Sequence, residues 1–154
     1  MLGYDFAEAD FPTLLLRKFY PERTDHESGI IRDFLVAHLR EYDRVSFSVR
    51  LGTPIAPNPE SPLNVQRSTI FSSLKRIDVV GWQGHFATLI DAKQRIRMDA
   101  LGVMLGYRQL FLEEIPDAPE PRLVVIGRIA DEDAIRILTD HGVDVLLYPE
   151  AVAA

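Results

Sequence analysis

Residues 74–82 and 85–93 form two apolar-rich runs separated only by Gln83-Gly84. So short a glycine-containing link leaves one economical solution, an antiparallel hairpin. Away from the turn, the two strands carry Asp78 and the triplet Asp91-Ala92-Lys93. Two carboxylates and a lysine are a poor way to fill a core. They suit a divalent cation held beside a phosphate. Lysine is also scarce, occurring only at Lys18, Lys75 and Lys93, so a lysine on a buried-looking strand end calls for a reason.

A two-residue turn at Gln83-Gly84 sets Trp82 opposite His85 and Asp78 opposite Leu89. Alternation then puts Asp78, Val80 and Trp82 on one face with His85, Ala87, Leu89, Asp91 and Lys93. Asp78 and Asp91 become diagonal neighbours, about 7–8 Å apart at the backbone. One hard cation is expected between them. Lys93 points to the same side, to stabilise charge on a phosphoryl oxygen or to position a water.

The rest of the chain supplies a scaffold. Asp10 and Pro12 predict a helix over 10–20 that stops before Pro21. Thr24 followed by Glu27 is a capping-box pattern opening a helix over 24–42. Its apolar stripe contains Ile30, Ile31, Phe34, Leu35, Val36 and Leu39, and Glu27 shares the face of Ile31 and Phe34. Residues 44–51 alternate as a strand, with Val45, Phe47, Val49 and Leu51 on one face. Pro54, Pro57, Pro59 and Pro62 predict one long loop over 52–68. A helix over 97–114 follows the hairpin, then an apolar strand over 122–127. A helix over 131–141 has Asp131-Glu132-Asp133 at its positive end, and a strand over 143–148 comes last. The fold class is α/β, a mixed central sheet with helices on both faces.

At 154 residues the chain fits one domain, 1–154. No apolar run approaches the roughly 20 residues of a membrane span, so no membrane partner is expected. The acidic start lacks a signal pattern and cysteine is absent, which fits a cytoplasmic location. The net charge of −6 is unevenly spread. Residues 1–112 carry 14 Lys/Arg and 13 Asp/Glu, whereas 113–154 carry 3 and 10. The segment with the hairpin is near neutral, so its charge leaves a nucleic-acid partner open, without the broad basic surface of a tight nonspecific binder.

The residues Glu27, Asp78, Asp91 and Lys93 resemble the PD-(D/E)XK nuclease superfamily. There an acid on the first core helix precedes an aspartate on one strand and an acid-x-lysine on the next. The resemblance spans about 24–128 as a restriction-endonuclease-like helix-strand-strand-strand-helix-strand core. It leaves a helical extension over 1–23 and an extra helix-strand over 129–154. It implies hydrolysis of nucleic-acid phosphodiesters, DNA first, by water activated by Mg2+ or Mn2+. Asp78 and Asp91 would be the metal ligands, with Glu27 as a third, and Lys93 would assist the water. Gln94, Arg95, Arg97, Arg76 and Tyr107 are the candidate substrate contacts. Ile77 stands at the motif's proline position, and Val103 where some exonuclease branches carry Gln. With no separate reading domain, specificity would come from a homodimer or a partner protein. The alternative is a catalytically silent nuclease-like fold serving as an interaction or structural subunit.

Overall fold

The computed structural model describes residues 2–150, the side chain of Leu2 apart. Its centre is a six-stranded mixed sheet whose order is also chain order. The strands are β1 (Leu2–Ala7), β2 (Arg44–Leu51), β3 (Lys75–Gln83), β4 (Phe86–Ile96), β5 (Arg122–Ala130) and β6 (Val143–Leu147). Strands β1 to β4 pair antiparallel, while β4–β5 and β5–β6 pair parallel. Helices α1 (Phe11–Leu14), α2 (Asp25–His38), α3 (Leu63–Ser73), α4 (Ala100–Glu114) and α5 (Glu132–Asp140) complete the chain. From α2 onward, the expected core order of helix, three strands, helix and strand is the order observed, with α3 inserted between β2 and β3.

Burial explains why the sheet is covered twice. On β5, Leu123 and Val125 enter one core, and Val124 and Ile126 the other. A stretch buried on both faces must be apolar throughout, as residues 123–126 are. The first core joins Val80, Leu89, Met104, Phe111 and Leu138. The second joins Ile30, Phe34, Phe47, Val79 and Ile90. Helices α4 and α5 thus serve one face, and α2 the other.

Helix α2 begins as its sequence dictates. Thr24 Oγ1 accepts from Glu27 N at 3.3 Å, and Glu27 Oε2 accepts from Thr24 N at 3.4 Å. Its buried side carries Ser28, Ile30, Ile31, Phe34 and Leu35. Val36 faces solvent and leaves the expected stripe.

Four further expectations are corrected. The N-terminal 1–23 segment is not chiefly helical: β1 and a 3-10 turn precede a single turn, α1. Tyr4, Asp5, Phe6 and Ala7 instead pair with β2 at the sheet edge. The expected loop over 52–68 is partly helix, because the chain turns helical directly after Pro62. Proline is tolerated at a helix start, where its missing N–H is not needed.

Strand β2 does not keep one face. Val45 and Phe47 enter one core, while Val49 and Leu51 enter the other. Ser48 lies between them at φ 50, a left-handed value that breaks the regular pleat.

The hairpin turn lies one residue later than expected. Gln83 pairs with Phe86, Trp82 with Ala87 and Val80 with Leu89. Gly84, at φ 59, takes the first turn position, where glycine has no steric penalty. Its N–H also donates to Asp43 Oδ2 at 2.6 Å.

Candidate active site

The corrected register brings the two aspartates closer than the expected one. The ladder runs to Val79↔Ile90, so one further step sets Asp78 level with Asp91. Asp78 Oδ2 accepts the N–H of Ala92 at 2.9 Å, which ties β3 to the triplet on β4. Both aspartates are buried. Lys93 Nζ lies 3.5 Å from Asp91 Oδ2, with its side chain 45% exposed. Asp78, Asp91 and Lys93 line one cleft of about 470 Å³, together with Glu27.

Two carboxylates side by side in a dry setting cannot both stay ionised without help. The Asp91 carboxyl is pushed up to about 8, first by burial and then by the charge of Asp78, while Lys93 pulls the other way. Hydrogen bonding with the Asp78 side chain adds to the rise. Asp91 Oδ2 is buried and has no hydrogen-bond partner. A pair of this kind takes a proton or a cation.

Arg23, which the sequence reading did not single out, supplies the nearest cation. It lies two residues before α2, and its side chain is 2% exposed. Arg23 Nη1 donates to Asp78 Oδ1 and stands 3.2 Å from Glu27 Oε2. Glu27 therefore has three attachments: the helix cap, the arginine and the cleft. Among the described residues, no three His, Cys, Asp or Glu side chains gather as a ready-made cation cage. The expected carboxylate triad is thus a close pair, with Glu27 joined to it through Arg23.

The segment carrying Arg23 is held from β2. Ser48 Oγ donates to Pro21 O at 2.8 Å, and Arg50 Nη2 meets Glu22 Oε1 at 2.6 Å. Glu22 sits at φ 60, unusual for a residue with a side chain. The only signal for Arg23 in the sequence is its i,i+4 spacing to Glu27.

The candidate substrate contacts divide. Arg76 and Tyr107 line the cleft, and the Tyr107 hydroxyl donates to Arg76 O at 2.7 Å. Burial, then the charges of Asp91 and Asp78, raise the Tyr107 pKa and keep it a neutral donor. Arg95 pairs with Asp131 at 2.6 Å in a neighbouring hollow. Gln94 and Arg97 are exposed and do not line the cleft. His85 is in the turn, beside Arg44 and Trp82 rather than in the cleft.

Arg50 and Lys75 also line the cleft, so Arg23, Arg50, Lys75, Arg76 and Lys93 face Glu27, Asp78 and Asp91. Arg50 is paired with Glu22; the other four cations against three carboxylates make a locally positive cleft on an acidic chain.

The fold is thus the expected α/β class, a mixed central sheet covered by helices on both faces, with Asp78 on β3 and Asp91 and Lys93 on β4. Among solved structures, the chain is similar to the crystal structure of a repair endonuclease from Pyrococcus abyssi, with a TM-score of 0.47 and 17% identity. The match covers 88% of this chain and 51% of that one, so the chain spans about half the length of that protein. No family model and no curated protein matches the sequence. No helix among the described residues is long and apolar enough to cross a membrane.

Proposed function

We propose that this chain is a nuclease dependent on Mg2+ or Mn2+ that hydrolyses nucleic-acid phosphodiester bonds. The observation that carries the reading is the buried Asp78–Asp91 pair, whose Asp91 Oδ2 makes no hydrogen bond and has Lys93 Nζ beside it at 3.5 Å. All-oxygen donors suit a hard cation. Magnesium commonly takes one or two carboxylates and fills its other positions with water and substrate phosphate. A pair, rather than a cage, meets that need.

Asp78 and Asp91 would hold the ion, and its neighbouring charge would keep Asp91 ionised. The ion supplies Lewis acidity to water and to the phosphoryl group. Lys93 Nζ, half-exposed in the cleft, stabilises charge on a phosphoryl oxygen as water attacks. Water adds across one P–O bond, leaving a phosphate monoester and a hydroxyl. Arg76 and Lys75 take flanking phosphates, and Tyr107 holds the Arg76 backbone in place. DNA is the first substrate to try; sequence choice would come from a second copy or a partner protein.

The second reading is a silent nuclease-like module. The observation favouring it is the Arg23 guanidinium, which already neutralises Asp78 and Glu27.

Calorimetric titration of Mg2+ and Mn2+ into wild type and Asp91→Ala separates the two, followed by cleavage assays on DNA and RNA. Saturable binding that disappears in the folded variant, with cleavage lost in Lys93→Ala, supports the nuclease. Absence of metal binding from both proteins, at concentrations up to tens of millimolar, rejects it for the silent module.

A further inference from the structure

One nitrogen of Arg23 bridges two carboxylates from different elements, Asp78 on β3 and Glu27 in the first turn of α2. Bridging of that kind is the work expected of a divalent ion at this site. The remaining guanidinium is poorly served: Arg23 Nε and Nη2 are buried without partners. A buried guanidinium with two unsatisfied nitrogens recovers little of its desolvation cost. The net cost of releasing it into solvent is thereby lowered, and the open cleft it lines gives it somewhere to go.

We propose that Arg23 is the resident counter-cation of this site and that a divalent ion must displace it to bind. The inference rests on the metal-dependent reading above and concerns its regulation. Arg23 and the ion compete for Asp78, so each weakens the other by the same factor. The displaced guanidinium enters a cleft already lined by Arg50 and Arg76, where it adds one more cation for a phosphate. The backbone beside it is fixed independently of Arg23. Ser48 bonds Pro21 O and Arg50 bonds the Glu22 side chain, so the segment stays anchored when the Arg23 side chain moves.

The test is calorimetric titration of Mg2+ alone into wild type, Arg23→Gln and Arg23→Lys, with thermal melts to establish folding. The expected result is tighter Mg2+ binding by Arg23→Gln than by wild type, about 10-fold or more, because no internal cation opposes it. Arg23→Lys, a point charge without the fork, falls between them and serves if Arg23→Gln does not fold. Equal Mg2+ affinity in wild type and the folded variants overturns the counter-cation role and leaves the metal site standing. Absence of Mg2+ binding from every protein, variants included, overturns the metal-dependent reading and this inference with it.

Discussion

Gly127 pairs with Lys93 across the parallel β4–β5 ladder, and a methyl group added at Gly127 would stand 2.7 Å from the Lys93 carbonyl oxygen. It would also meet Ile96 at 2.9 Å. Backbone cannot yield there as a flexible side chain can. The glycine is what lets the strand carrying Lys93 lie close to β5.

Gly127→Ala is accordingly expected to damage the site without touching a charged group. Overpacking of this kind costs about 1–3 kcal/mol. A lowered Tm together with weakened metal binding and cleavage would support the close approach. An unchanged Tm would show that β5 shifts freely and that Lys93 is not held this way.

The Asp78–Arg23 pair is almost wholly enclosed. Removing one partner of a buried pair costs about 3–5 kcal/mol, because the other charge is left alone. Here Glu27 remains beside Arg23, so Asp78→Ala should fall at the lower end. Replacing both, as in Asp78→Ala with Arg23→Met, should recover much of the loss. Denaturant melts of the two single variants and the double variant give the coupling, and simple additivity would argue that the pair does not form.

The raised Asp91 carboxyl gives stability a pH dependence in chelator. The folded protein keeps the Asp91 proton at pH values where the unfolded chain has lost it. That contribution is complete below the ordinary value of 3.8, falls as pH rises, and is gone above about 8. Wild-type Tm in chelator should therefore drop between pH 5 and pH 8 relative to Asp91→Asn, which has no proton to lose. Parallel Tm curves for the two proteins would remove Asp91 as the source.

Tyr107→Phe deletes the hydroxyl that meets the Arg76 carbonyl. The expected cost is about 1 kcal/mol of stability, with magnesium affinity unchanged. A large fall in metal affinity would assign Tyr107 a ligand role that its position on the cleft wall does not suggest.

The hairpin and its aspartates were legible because strand faces have period two. Moving a two-residue turn from 83–84 to 84–85 shifts the pairing by two residues. A shift of two preserves every face, whereas a shift of one would have put the carboxylates on opposite sides. The core run of β5 and the cap of α2 were legible for equally local reasons. Helix α3 was not. It buries no residue, so it carries no amphipathic stripe, and the prolines ahead of it dominate the reading. Strand β1 lies at the sheet edge with most of its described side chains exposed, and lacks the alternation that marks a half-buried strand. The face change in β2 depends on one serine in a left-handed conformation, a residue type with no special claim to it. Arg23 reaches Asp78 across 55 positions of chain, a tertiary contact that no local pattern encodes.

The sheet's spatial order repeats the order of synthesis. Each strand from β2 onward finds its partner already made, so no strand must be threaded between two others. The carboxylate-bearing hairpin can close before β5 exists, with the nearest pairs only a few residues apart in chain. Gly127 then arrives from β5 to settle against Lys93. A ribosome releasing this chain would thus deliver the Asp78 and Asp91 carboxylates first and their lock afterwards, and a truncation before β5 would leave those carboxylates assembled but unclamped.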